Sequence, residues 1–143
     1  MLPKLPVVAR WTMKDIAAIP VVSDSGEEDP IWYPLQHVLG IETFGANLFV
    51  ATHAGQTLVE DHDESASGQE ELYFVLEGEA TFRLDGEQAR LGRGSTLAIT
   101  DPSVRRSATA RREGTSLLII GAGAEKFTST WNSSHFNDIP RPD

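Results

Sequence analysis

The sequence predicts an all-β protein, a sandwich or barrel of short strands, and three observations carry that expectation. Short apolar runs recur between residues 45 and 121, each bounded by Gly, Asp or Pro. The run "EELYFVLEG" (70–78) is apolar on both faces, Leu72, Phe74 and Leu76 alternating with Tyr73 and Val75. A strand of that kind is sandwiched between layers or faces a barrel lumen. No segment shows sustained helical periodicity, which counts against an α/β enzyme.

Taken in order, the chain starts with "MLPKLPVVARWTMKD", whose short apolar run is interrupted by Pro3 and Pro6. It is expected to be neither a signal peptide nor a membrane span, so a cytoplasmic protein is the default. Residues 23–30, "SDSGEEDP", mix turn residues with acids and mark a break. Asp29 followed by Pro30 reads as a helix N-cap and first helical position. A short segment through "IWYPLQHVLG" would then be helical, made irregular by Pro34 and closed by Gly40.

From there the signal is strand. "GANLFVATH" (45–53) is apolar and partly alternating, and 70–78 follows after the acidic stretch. "ATFRL" (80–84) and "EQARL" (87–91) flank Asp85-Gly86, the strongest hairpin signal in the chain. "GRG" (92–94) turns into "STLAIT" (95–100), "DPS" (101–103) turns again, and "VRRSATA" and "TSLLIIG" (115–121) complete the series. One domain is expected, with residues 1–39 as an N-terminal extension, 40–121 as the barrel and 122–143 as a polar C-terminal extension. Trp131 and Phe136 would tether that last segment.

Composition narrows the function. A chain of 143 residues can bury a real core without staples. It has no cysteine, which excludes disulfides and thiolate metal sites. The formal charge of −9 disfavours nucleic acid, which needs a basic face. The charge is segregated: residues 51–82 hold no Lys or Arg, whereas 83–112 hold seven arginines. Either these are two solvated faces of opposite sign, or acidic and basic strands lie side by side or line one cavity. There is no nucleophile elbow, phosphate-binding glycine loop or Ser/His/Asp order, so hydrolases of those kinds are disfavoured.

"GQEELYFVLEGEATFRLDGE" and "LGRGSTLAITDPSVRRSA" together resemble the two conserved blocks of the cupin superfamily, over roughly residues 45–121. The resemblance implies an antiparallel β-barrel of jelly-roll type. It also implies an H-x-H pair, a Glu followed by six residues and a Gly, and a third His in the second block. Glu71 to Gly78 matches the second of these, and Gly94, Pro102 and the strand beyond match the layout of the second block. The metal ligands depart from the pattern. Glu60 takes the first His position, His62 the second, and an eight-residue gap separates His62 from Glu71. The third position falls on Arg106 or, one residue out of register, Arg105. An arginine offers no lone pair and would repel a cation.

The resemblance therefore implies a small-molecule pocket with His62, Glu71, Tyr73 and Arg106 as ligand-binding residues, and no strongly held metal. A divalent ion, if bound, would use Glu60, His62 and Glu71. Arg106 would pair with Glu71 and supply the positive charge that a metal supplies in similar barrels. The plainer reading leaves His62 solvated in an acidic loop and Tyr73 and Trp32 in the core. His37, His53 and His135 have no motif around them and read as structural or surface residues. Three functions stay open: a barrel binding a small polar or acidic molecule; a cupin enzyme of isomerase, epimerase, lyase or dioxygenase type; and a dimeric interaction module without ligand. A homodimer is expected, because both faces of "LYFVL" and "SLLII" are apolar.

Overall fold

The structure is a computed structural model that describes residues 10–23, 26–127, 130 and 132–142. The apolar run before residue 10 and Trp131 lie outside the described residues. Phe136 is described. It is 42% exposed and meets His135 edge-on. No helix among the described residues is long and apolar enough to cross a membrane.

Among the described residues nine strands and one short α-helix follow one another: β1 (Ile31–Tyr33), α1 (Leu35–Leu39), β2 (Gly45–Val50), β3 (Thr57–His62), β4 (Glu70–Glu77), β5 (Glu79–Leu84), β6 (Glu87–Gly92), β7 (Thr96–Ile99), β8 (Arg106–Ala110) and β9 (Ser116–Ala122). A five-stranded sheet in the order β1-β2-β9-β4-β7 lies against a four-stranded sheet in the order β3-β8-β5-β6. Every pairing is antiparallel. This is the expected all-β jelly roll.

Register decides which residues meet between the sheets. Pairing of β4 with β9 sets Tyr73 beside Ile119 and Val75 beside Leu117. Pairing of β5 with β8 sets Phe82 beside Ala108 and Leu84 beside Arg106. Tyr73, Val75, Phe82 and Leu117 are fully buried in one cluster. Tyr73 and Phe82 meet edge to face across the two sheets at 5.3 Å, a contact that adds about 0.5–1.5 kcal/mol to their apolar burial. The two apolar faces of β4 therefore differ in environment. One is core, while Leu72 and Leu76 on the other stay 38% and 37% exposed.

Two turns explain the glycines that shape the site. Asp85 and Gly86 both adopt positive φ, 51° and 86°, as the two-residue hairpin requires. Gly78 has φ 77°, and a Cβ there would run into Thr115, whose Cα would lie 2.7 Å away. Only glycine fits this crossing from one sheet to the other. At the 101–103 turn, hydrogen bonds from Ser103 hold the Asp101 carboxyl below its usual range.

Three expectations need correction. Asp29-Pro30 does not start a helix. Asp29 Oδ2 accepts from Gly26 N at 2.8 Å and closes a turn, and Ile31–Tyr33 pairs with β2. Pro34 holds Tyr33 extended, and Ile31, Trp32 and Tyr33 suit a strand. The helix begins only after Pro34 and ends where Gly40 turns left-handed, φ 74°. The sheets thus begin at Ile31 rather than at residue 40. The third correction concerns residues 57–62, whose acidic end around His62 reads from the sequence as a loop. They form β3, whose register with β8 shifts twice, so Leu58 and Val59 are consecutively buried and the alternation is lost.

Candidate ligand-binding site

A cavity of about 590 Å³ opens between the two sheets. One wall comes from β1 and β2. Trp32 stacks on Phe49 with ring centroids 5.8 Å apart, and its Nε1 donates to Asn47 Oδ1 at 2.7 Å. All three residues line the cavity, so the indole is fixed in place before any ligand arrives. β3 supplies the facing wall, from Thr57 to His62. Glu71 and Tyr73 of β4 also line the space, and Asp29 and Pro30 stand at its edge.

Behind Glu71 lies Arg106, with no exposed surface. Its Nη1 donates to Glu71 Oε1 at 2.6 Å, and its Nε donates to the Val104 carbonyl at 3.0 Å. Tyr73 Oη donates to the same Glu71 oxygen at 2.7 Å. Glu71 is about 10% exposed, so this is a near-buried pair. Burial in low dielectric costs both charges their hydration, and short charge-assisted bonds offset that cost. Arg106 Nη2 is buried with no hydrogen-bond partner among the described residues. Burial, then the bond to Glu71 and its negative charge, push the Tyr73 phenol far above its ordinary range, against a smaller opposing effect of Arg106. Tyr73 therefore stays a proton donor.

His62 is opposite Arg106 on the neighbouring strand. Its Nδ1 is 2.7 Å from the Glu60 carbonyl and its Nε2 is 2.9 Å from Glu64 Oε1. Both partners accept, so the ring needs both N–H groups to make both bonds. Ser67 Oγ donates to the other Glu64 oxygen at 2.7 Å. The inserted loop after β3 thus folds back onto His62.

Of the residues singled out by sequence, His62, Glu71 and Tyr73 line the cavity, and Arg106 stands immediately behind it. Arg105 points the other way. It pairs at the surface with Asp61 at 3.0 Å, both more than half exposed, so Arg106 is the inward residue. The acidic segment does meet the basic segment, since β3 pairs with β8, which begins at Arg106. His37, His53 and His135 do not line the cavity. Sequence reasoning missed Asp29, Asn47, Phe49 and Glu64. Asn47 and Phe49 sit two apart on β2 and face one way, a period-2 signal that was present but carried no chemistry by itself.

The metal candidates change with the structure. His62, Glu64 and Glu71 can each offer a ligand atom within 4.8 Å of the others. Glu60, expected from the cupin pattern, instead gives His62 its backbone carbonyl. The set does not fit a metal well. Glu71 Oε1 already accepts from a guanidinium and a phenol, His62 Nε2 is held by Glu64, and the Arg106 charge lies against the carboxylate. A divalent ion there would have to displace these bonds and tolerate the cation.

No protein-family model matches the sequence, and no curated protein matches it. Solved structures do match in shape. A cupin protein from Bacteroides fragilis is 20% identical, with a TM-score of 0.67 over 87% of this chain and 93% of its own. An RmlC-like cupin from Shewanella frigidimarina is 15% identical, with a TM-score of 0.62 over 82% and 97%. A sugar phosphate isomerase of the cupin superfamily from Silicibacter pomeroyi is 17% identical, with a TM-score of 0.62 over 79% and 76%. The protein has the cupin jelly-roll fold. At these identities the likeness is one of fold and leaves the site chemistry to be argued from this chain's own residues.

Proposed function

We propose that this cupin-fold barrel binds a small polar molecule between its sheets, with a charge pair rather than a metal at the inner end of the cavity. The observation that carries the reading is the Arg106–Glu71 bond at 2.6 Å, fully buried on the arginine side and directly beneath the cavity surface. The guanidinium satisfies the carboxylate that a metal would otherwise hold. Glu71 and Tyr73 are thereby fixed as polar contacts, while Trp32 and Phe49 offer an apolar wall. A few convergent polar groups on a mostly apolar cavity are the usual make-up of a ligand site. Of the two ligand types expected, polar and acidic, the first fits better, because no lysine or arginine among the described residues lines the cavity.

The test is a thermal-shift screen of chelator-treated protein against neutral polyols, sugars and small organic acids. A ligand of the native state raises Tm by mass action. Shifts from neutral polar compounds without added metal support the reading, whereas shifts appearing only after metal is restored count against it.

A second reading is supported by the convergence of His62, Glu64 and Glu71. That trio would suit acid–base work on a bound substrate, with His62 and Glu64 exchanging a proton. The isomerase named among the structural neighbours makes a sugar phosphate the first substrate to try. The acidic lining of the cavity argues against a phosphorylated one. Turnover of a sugar phosphate that is lost in His62→Gln would favour this reading over simple binding.

A further inference from the structure

We infer that the cavity selects a positively charged organic ligand, a small amine or ammonium, over neutral and anionic molecules of the same shape. The inference rests on the reading that the cavity binds a small molecule and names the ligand's charge. Four acidic residues line the space, Asp29, Glu60, Asp61 and Glu71, with no lysine or arginine among the described lining residues. Two of the four are answered by arginines: Asp61 at the surface by Arg105 at 3.0 Å, and Glu71 from behind the wall by Arg106 at 2.6 Å. Asp29 and Glu60 pair with no cation among the described residues. Asp29 accepts only a backbone N–H, from Gly26. His62 does not make up the difference, because its ring is held by Glu64, itself an acid. Asp29 and Glu60, both exposed, therefore leave an excess of two negative charges on the lining, a field that attracts cations and is screened by salt.

The aromatic wall points the same way from independent geometry. Trp32, held by Asn47, and Phe49, stacked on it, present electron-rich rings to the same space as the unanswered carboxylates. A cation is attracted both by the ring quadrupole and by the acids, and it gains from each most where water is excluded. A carboxylate or phosphate ligand meets the opposite sign on both counts. A neutral alcohol would gain only apolar contact and hydrogen bonds.

The experiment uses three probes that share one ring and differ in charge: benzylamine, benzyl alcohol and benzoate, titrated calorimetrically into the intact protein near neutral pH. Benzylamine is expected to bind about tenfold or more tightly than benzyl alcohol, and benzoate least of all. Raising salt from about 0.01 M to about 1 M shortens the screening length from about 30 Å to about 3 Å and should weaken the amine selectively. Glu60→Gln, at an exposed strand position, should lower the amine-to-alcohol affinity ratio several-fold. Trp32→Ala should lower affinity for the amine more than for the alcohol. If the alcohol or the acid binds as tightly as the amine, the charge inference fails while the cavity stands as a binding site. If none of the three binds, the inference is wrong, and the thermal-shift screen decides the broader reading by itself.

Discussion

Arg106 and Glu71 join the two sheets: the guanidinium leaves β8 of one and donates to the β4 carboxylate of the other at 2.6 Å. Their partners are shared with the core, since Tyr73 bonds to the same carboxylate oxygen and packs edge-on against Phe82. The ion pair thus connects the packing of the barrel to the polar inner end of the cavity.

Removing one side of that pair should be costly. Arg106→Ala leaves Glu71 without its cation, and Glu71→Ala leaves a fully buried guanidinium unpaired. Each is expected to lose about 3–5 kcal/mol in urea unfolding. The double replacement Arg106→Met with Glu71→Leu should recover much of that loss, because apolar packing can substitute for a buried pair. Strictly additive losses in this cycle would show that the two residues act independently.

Alkali should destabilise the protein through Tyr73. Its phenol is held protonated in the fold by burial and by Glu71, so its folded pKa lies above the unfolded value. The contribution is complete below the unfolded pKa of about 10 and is lost as pH rises through the folded value. Of the two tyrosines in the chain, Tyr73 should therefore show its tyrosinate absorbance only as the protein unfolds. A reversible titration of both in native protein near pH 10 would contradict the burial and bonding described.

Gly78→Ala should lower stability by at least about 1–3 kcal/mol, since the position combines a left-handed φ with the close approach of Thr115. Gly86→Ala should cost less, because its φ is similar but nothing lies within 4 Å of the added carbon. Equal losses in thermal or urea unfolding would show that the Thr115 contact contributes nothing.

Much of this was readable from sequence, for identifiable reasons. Glu71 to Gly78 carried the strand and its turn because a strand running into a crossing that admits only glycine leaves a fixed spacing. Asp85-Gly86 carried the hairpin because few residues tolerate two positive φ angles in succession. The segregation of charge between residues 51–82 and 83–112 anticipated the meeting of β3, with Glu60 and Asp61, and β8, which begins at Arg106. What stayed hidden depended on register and on folding back. β3 was obscured because shifts in its register put Leu58 and Val59 inward together. Glu64 was out of reach because the loop that returns it to His62 has no periodic pattern. The stacking of Trp32 on Phe49 depends on a three-residue strand, too short to announce itself.

Restoring a histidine at position 106 tests the inner end of the cavity from the other direction. Arg106→His would sit opposite His62 and near Glu71, replacing a cation with a ligand. Zinc titrated into the variant should bind at least about tenfold more tightly than into the native protein. Unchanged affinity would mean that these positions do not converge on a metal.

Whether Arg106 takes the place of a metal is decided by elemental analysis of the native protein, purified without chelator. With the Arg106–Glu71 pair in that place, far less than one equivalent of any divalent metal per chain is expected, and no loss of thermal stability on later chelation. A full equivalent of tightly held metal, lost together with stability when His62 or Glu71 is replaced by Ala, would contradict it.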